Sequence, residues 1–168
     1  MGDLPKMAIS IRQPWAWAII HAGKGIENRD WSTRFRGPVC IHAAKGCTWE
    51  EWDDALYFMM GHQDVHPPLK HQIQRGGIIG TAEIVDCVEQ SDSPWFFGRY
   101  GFVMKNPQPV EFIPVRGALG FFDWRSAKQA QPTPPISPEE AQFNAVRYHE
   151  RFGPLDEKGN PLDPRRRG

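Results

Sequence analysis

The stretch from Ser10 to Trp31 constrains the fold of this chain more than any other. The short apolar run from Met7 to Ile11 overlaps the start of this stretch and is typical of a strand. Pro14 then stands at the start of a predicted helix, where its missing N–H costs no hydrogen bond. Gly23 supplies a left-handed stop for that helix. The pattern therefore predicts a strand, a helix and a turn in close succession.

A cluster of charged residues follows the glycine stop directly. Lys24, Glu27 and Arg29 lie within the motif GKGIENR, and Trp15 and Trp31 flank them on either side. Such a cluster is more typical of a functional site than of a scaffold. From spacing alone, Lys24 also fits a solvated lysine attracted to the helix dipole, and Arg29 fits a structural ion pair with Glu27 or Asp30.

The middle of the chain predicts a second helix and then several strands. Thr48 and Glu51 have the spacing of a capping box, and Gly61 is the predicted end of the helix. Pro107 and Pro109 predict a turn between two strands, because proline cannot donate to a strand ladder. The predicted strands cover residues 78–88, 101–105, 111–114 and 117–122.

The composition changes after Trp124, and this change sets the predicted domain boundaries. Residues 1–125 are the predicted folded domain, and residues 126–136 form a proline-rich linker. Ser137 and the residues after it have the pattern of a helix start, which predicts a C-terminal helix over 137–153. Residues 154–168 are predicted to be a disordered tail.

The charge balance excludes one class of nucleic-acid binder. The 168 residues contain 20 Lys and Arg and 20 Asp and Glu, so the chain lacks the overall positive charge of a polybasic protein. The charges are unevenly placed, however. The chain is rich in basic residues up to Lys45, and an acidic segment follows from Glu50 to Asp54. A neutral chain of this kind can still carry a basic cleft.

The cysteines and histidines give no metal-site pattern. The number of cysteines is odd, and none forms a CxxC motif that would suggest a zinc site. His62, His66 and His71 lie in a proline-containing loop and lack the spacing of zinc ligands. We therefore predict no metal and no cofactor.

No membrane segment is predicted. No apolar run approaches the roughly 20 residues that span a bilayer. The first residues, MGDLPK, contain no signal-peptide core. We therefore expect a soluble, cytoplasmic protein that has no membrane partner.

Several motifs in order resemble one known family. They are SIRQPWA, GKGIENR, the run RGPVCIHAAK, the strand IGTAEIVDC, and the closing segment from Tyr100 to Trp124. Together they are similar to the ASCH domain family of the PUA-like superfamily, over residues 7–124. The resemblance implies an α+β fold, a PUA-like mixed β-barrel with flanking helices. It also implies a cleft for nucleic acid or a nucleoside, lined by the motif lysine.

The same resemblance implies a set of candidate catalytic residues. Some small ASCH proteins are amidohydrolases that deacylate cytidine with a lysine, a threonine three residues later and a central-strand glutamate. Lys24 and Glu83 match two of these positions, and Glu27 occupies the place of the threonine, so the candidate catalytic residues are Lys24, Glu27 and Glu83. A carboxylate cannot replace a hydroxyl nucleophile without a change of mechanism. From alternation with its apolar neighbours, Glu83 also fits the solvent face of a strand.

Candidate binding residues surround the charged motif. Arginine suits phosphate because its planar group donates two parallel hydrogen bonds. Tryptophan can stack on a base, and a glutamine amide can both donate to and accept from a base edge. The candidates for nucleic-acid binding are Arg12, Gln13, Trp15, Arg29, Trp31, Arg34 and Arg36.

These observations lead to one prediction and two alternatives. We predict a nucleic-acid-binding module that holds RNA, another single-stranded nucleic acid or a modified nucleobase in a basic, aromatic-flanked cleft. One alternative is a hydrolase that uses Lys24 and Glu83, either an acylated-cytidine amidohydrolase or a ribonuclease. Another is a regulatory interaction domain whose C-terminal helix carries the partner surface.

Overall fold

The structure is a computed structural model that describes residues 3–129 and 135–153. Within these residues, strands and helices alternate along the first half of the chain, and the longest strands follow in the second half. The elements are β1 (Met7–Ile11), α1 (Trp15–His21), β2 (Ile26–Arg29), β3 (Gly37–Ala43), α2 (Trp49–His62), β4 (Gly77–Val88), β5 (Tyr100–Pro114), β6 (Phe121–Asp123) and α3 (Pro138–Phe152).

The strands form one mixed sheet in the order β2-β5-β4-β3-β1-β6. β1 and β3 run parallel, and the other neighbouring pairs are antiparallel. The sheet curls into a half-barrel, and aromatic rings from its two ends meet. Phe102 of β5 stacks on Phe121 of β6 with ring centroids 6.1 Å apart. This architecture confirms the predicted α+β, PUA-like barrel.

Alternation along the strands gives the sheet two faces, and both are apolar over much of their area. What we call the first face includes Ile9 and Phe102 and packs against α1 through Ile19. The second face includes Ala8 and Cys40 and packs under the segments before and after β6. A side chain of the central strands therefore belongs to one of two separate environments.

The strand, helix and cap predicted at the front of the chain are confirmed. β1 has the predicted bounds, and α1 begins immediately after Pro14. Thr48 caps α2: its hydroxyl accepts from the amide of Glu51, and the carboxylate of Glu51 accepts from the amide of Thr48. Gly61 lies inside α2 rather than ending it.

Two sheet elements differ from prediction. The motif after Gly23, predicted as a turn, forms the short strand β2. The predicted turn at Pro107 and Pro109 is wrong, because β5 is continuous from Tyr100 to Pro114. β2 pairs only with the first residues of β5, so the prolines lie where β5 has β4 alone as a neighbour. Register shifts against β4 absorb the irregular backbone there, including Asn106 at φ 53°.

The C-terminal helix packs against α2. Tyr148 of α3 is buried against Trp52 and Leu56, and its hydroxyl donates to the sulfur of Met60 at 3.2 Å. Part of the predicted linker and the whole predicted tail, residues 154–168, lie outside the described residues. The domain boundaries set from composition remain a prediction.

Candidate nucleic-acid interface

Lys24, Glu27 and Arg29 form a line of charge beneath the surface of the half-barrel. The Nζ atom of Lys24 donates to Oε2 of Glu27 at 2.7 Å and to the carbonyl of Ile26 at 2.6 Å. Arg29 Nη2 lies 3.3 Å from the other oxygen of Glu27. Glu27 pairs in register with Phe102, which places its side chain on the first face. One buried carboxylate therefore joins both cations.

The end of α1 directs Lys24 inward. Gly23 takes a φ of +71°, in the left-handed region that glycine adopts readily, and the amide of Lys24 then donates to the carbonyl of Ala18. The side chain passes the ring of Trp15, with Nζ 5.9 Å from the ring centroid. Lys24 is only 2% exposed. A cavity of about 190 Å³ borders it, with Met104 in its wall.

Arg29 connects β2 to β1 across the open side of the half-barrel. Its Nη2 donates to the carbonyl of Ser10 at 2.7 Å, and the residue is partly buried. Arg29 also contacts Glu27, so it forms the structural ion pair that was one of the two interpretations of its spacing. Its Nε is buried and has no hydrogen-bond partner among the described residues.

Glu83 does not join this line. It alternates with Ala82 and Ile84, which face the first-face core, so its side chain lies on the second face. Its carboxylate accepts a hydrogen bond from Asn106 at 3.1 Å. The structure thus brings together Lys24 and Glu27 but places Glu83 on the other side of the sheet.

Two candidate binding residues serve the protein's own structure. The amide of Gln13 donates to the carbonyl of Gln74 at 2.7 Å and accepts from the backbone of Trp17 at 2.9 Å. Gln13 is 2% exposed, so its amide is held inside the protein. The exposed Arg12 is ion-paired with Glu51 at the start of α2.

The segment Trp31–Arg36 presents polar and aromatic groups to solvent. Trp31 is 38% exposed, and its ring lies edge-on to Phe102 and Phe121 at the seam of the half-barrel. Arg34 is exposed and has no hydrogen bond or ion pair within the described part of the chain. Arg36 donates to two carbonyls of its own segment and lies 3.6 Å from Asp86.

Trp15 lies in a separate aromatic group. Its ring is half-buried, and its centroid is 5.8 Å from those of both Phe58 and Phe97. Phe97 is 59% exposed, so this group reaches the surface beyond the buried Lys24. Trp15 packs against Lys24 rather than standing free for stacking.

A pair that the sequence did not single out as a site lies on the second face. His42 is buried, with Nδ1 3.0 Å from the hydroxyl of Ser10 and Nε2 2.8 Å from the carbonyl of Val115. Burial lowers the pKa of His42, although the carbonyl of Val115 opposes this. Its sequence context gave no signal for a contact with Ser10.

Several classes of site are not found in residues 3–129 and 135–153. No group of three or more His, Cys, Asp or Glu side chains there is arranged to hold a metal ion. Cys40, Cys47 and Cys87 are free thiols. None of the helices in those ranges is both long and apolar enough to cross a bilayer.

The half-barrel and the charged line beneath its surface define a protein of the PUA-like class. Comparison with known families narrows this: the model of the ASCH domain matches residues 9–143, and the chain belongs to the ASCH domain family. It is 31% identical over 126 residues to human activating signal cointegrator 1 and 29% identical over 121 residues to the mouse protein. Each match covers 65% of this chain and 20% of the relative, so the chain spans about a fifth of those proteins.

Proposed function

We propose that this protein is a module that binds single-stranded RNA or a related single-stranded nucleic acid. The surface that carries the proposal is the exposed segment Trp31–Arg36, together with the aromatic seam beneath it. This is a narrower surface than the whole set of candidate residues, because several of those are engaged inside the protein.

The observation that supports the proposal is that one segment carries both an exposed indole and a guanidinium without an ion-pair partner in the described residues. Trp31 keeps 38% of its surface exposed although its ring is anchored against Phe102 and Phe121. Arg34 follows three residues later without a carboxylate partner among the described residues. An aromatic ring for stacking and a free guanidinium for phosphate are the two groups that bind single-stranded nucleic acid.

The geometry favours binding over hydrolysis. A general base needs a free electron pair that can reach a substrate proton. The amine of Lys24 instead donates to Glu27 and to the carbonyl of Ile26 within the interior. Glu83 lies on the second face and bonds Asn106, so it shares no cleft with Lys24.

Family membership supports the same proposal. The ASCH family is associated with nucleic-acid binding. The matched relatives are named as cointegrators of an activating signal, and this chain covers only a fifth of each. The proposal therefore rests on the domain and its surface, and it assigns no cointegrator role.

The test is a titration of fluorescently labelled single-stranded RNA with the wild-type protein and two charge variants. Arg34→Ala removes the unpaired guanidinium, and Lys105→Ala removes another exposed charge, from β5. We expect Arg34→Ala to weaken binding about threefold to tenfold, because a charge-assisted hydrogen bond to phosphate is lost. We expect Lys105→Ala to change the affinity less than Arg34→Ala does.

A second pair of variants tests the aromatic contribution. Trp31→Ala should weaken binding by roughly 1–3 kcal/mol through lost stacking. Tyr57→Ala, which removes an aromatic ring that is 66% exposed on α2, should leave the affinity unchanged. Equal effects of Trp31→Ala and Tyr57→Ala, or of Arg34→Ala and Lys105→Ala, would contradict the assigned surface.

A further inference from the structure

A cavity on the second face contains no residue of the proposed Trp31–Arg36 surface. It has a volume of about 530 Å³, which is within the range of small-molecule sites. The side chains of Ser10 and His42 line it, together with the exposed cations Lys45 and Arg116. The exposed Leu119 stands at its edge.

The hydrogen bonds of His42 determine what Ser10 can offer to a ligand. A carbonyl only accepts, so the neutral ring carries its proton on Nε2 and donates it to Val115 at 2.8 Å. Nδ1 is then an acceptor, and the hydroxyl of Ser10 donates to it at 3.0 Å. The remaining lone pairs of Ser10 Oγ can therefore accept a hydrogen bond, but the hydroxyl proton is already used.

The backbone of Gly117 lies directly against this pair. A Cβ atom at position 117 would lie 2.6 Å from Cε1 of His42 and 3.1 Å from Oγ of Ser10. Any larger residue there would press on the imidazole ring and fill the space beside the hydroxyl. The close approach of the Gly117 backbone therefore makes the Ser10–His42 pair part of a built cavity wall.

The cavity is also positively charged. Lys45 and Arg116 line it, and the guanidinium of Arg75 donates to the carbonyl of Lys45. In the described part of the chain, no carboxylate lines the cavity and none of these three cations forms an ion pair. An anionic group is thus the complementary ligand.

The loop between β5 and β6 joins the wall of the cavity to the proposed RNA surface along the chain. The loop that contains Gly117 and Leu119 leads directly to Phe121, whose ring contacts Trp31 at 5.8 Å. On the other side, the carbonyl of Ser10 accepts from Arg29. The chain therefore connects the cavity wall on the second face to the ring of Phe121 on the first face, against which Trp31 packs.

We propose that the cavity takes one ribonucleotide unit, with its phosphate held by Lys45 and Arg116 and its ribose 2′-hydroxyl donating to Oγ of Ser10. This inference rests on the proposed function and deepens it, because it assigns a preference for RNA over DNA. The acceptor character of Ser10 supports the preference, since deoxyribose lacks the hydroxyl donor. The unit comes either from a single strand or from a free nucleotide of the same chemistry.

The experiment measures the affinity of the full chain for a labelled oligouridylate and for the matched oligodeoxyuridylate. The wild type should bind the ribo form about threefold to tenfold more tightly, as one additional hydrogen bond implies. Ser10→Ala should remove this difference. Lys45→Ala and Arg116→Ala should weaken both probes by similar factors, and Lys105→Ala is the matched control outside the cavity.

Free uridine monophosphate is the second arm. If it binds with the same dependence on Ser10 and displaces the labelled RNA, the site takes a free nucleotide; if only the oligomer binds, the site takes a unit of a strand. RNA binding by the wild type that is unaffected by both Lys45→Ala and Arg116→Ala would overturn the cavity assignment and leave the proposed function intact. Lys45→Ala and Arg116→Ala should fold, because both side chains are exposed. Thermal unfolding checks that Ser10→Ala also folds. Absence of RNA binding by the wild type would instead overturn the proposed function.

Discussion

The ammonium of Lys24 lies 2.7 Å from a carboxylate oxygen of Glu27, and both residues are buried. The second bond of the ammonium goes to a backbone carbonyl of β2, and the second oxygen of Glu27 lies 3.3 Å from Arg29. Because of these contacts, the charged side chains of the motif GKGIENR bind one another inside the protein. They fix β2 to the end of α1 and to β1, and the exposed seam is built above them.

Removal of Lys24 should therefore cost stability. We expect Lys24→Met to lower the free energy of unfolding by about 3 kcal/mol, because the carboxylate of Glu27 stays buried without its nearest cation. Chemical denaturation measures this, with the exposed Lys105→Met as the control that should change little. The double variant Lys24→Met/Glu27→Leu should recover part of the loss, and equal stability of Lys24→Met and wild type would contradict the structural role.

We expect no hydrolysis of acetylated cytidine by the wild-type protein. The amine of Lys24 is engaged with Glu27, and Glu83 lies on the other face of the sheet, so the candidate lysine and the candidate glutamate share no cleft. Chromatography of acetylated cytidine incubated with the protein checks this. Turnover that Lys24→Ala abolishes would show that the hydrolase alternative is correct.

Stability should fall as the pH falls from about 7.5 to 5.5. Burial lowers the pKa of His42 below the ordinary histidine value of 6.5, so the unfolded chain takes up a proton there before the folded protein does. The stabilisation is complete above the unfolded pKa and is lost as the pH falls toward the folded pKa. Denaturation of His42→Asn across this range should show a smaller pH dependence than the wild type.

A control separates this effect from that of a second histidine. Burial also lowers the pKa of His71, near α3, so His71→Asn should reduce the pH dependence by its own, separate share. If His42→Asn keeps the full pH dependence of the wild type, the buried neutral ring is not its source.

The C-terminal helix should contribute to the stability of the domain. Tyr148 is 4% exposed and packs with Trp52 and Leu56, so Tyr148→Ala should lower the free energy of unfolding by about 3 kcal/mol through lost packing. Phe143→Ala, on the same helix but 59% exposed, should cost much less. If denaturation experiments show the same loss of stability for Tyr148→Ala and Phe143→Ala, the packing of Tyr148 against α2 does not stabilise the domain.

Local sequence signals predicted much of the fold. The apolar run of β1, the glycine stop of α1 and the Thr48 capping box each depend on neighbouring residues, and each is confirmed. β2 could not be predicted from its few charged residues, because its place is set by pairing with β5, far along the chain. Pro107 and Pro109 predicted a turn because proline disrupts a strand that has neighbours on both sides. They fit within β5 because β2 is too short to pair with that part of the strand, which the local sequence does not show.

The candidate site was predictable only in part, because burial and sheet face depend on long-range packing. The sequence brought Lys24, Glu27 and Arg29 to attention, and they are in contact, but it could not show that their charges satisfy one another. The face of Glu83 was ambiguous from alternation alone. The contact between Ser10 and His42 needs the parallel register of β1 and β3, for which no local pattern exists.

The salt dependence of RNA binding tests the central proposal most directly. Labelled single-stranded RNA is titrated with the wild-type protein and with Arg34→Ala at a series of salt concentrations. We predict binding at low salt, a log–log slope of magnitude about 2–4, and a slope smaller by about 0.7 for Arg34→Ala, since a few phosphates are contacted and one contact is lost. No binding to RNA at low salt, or a slope that Arg34→Ala leaves unchanged, would contradict the proposal that the Trp31–Arg36 surface binds nucleic acid.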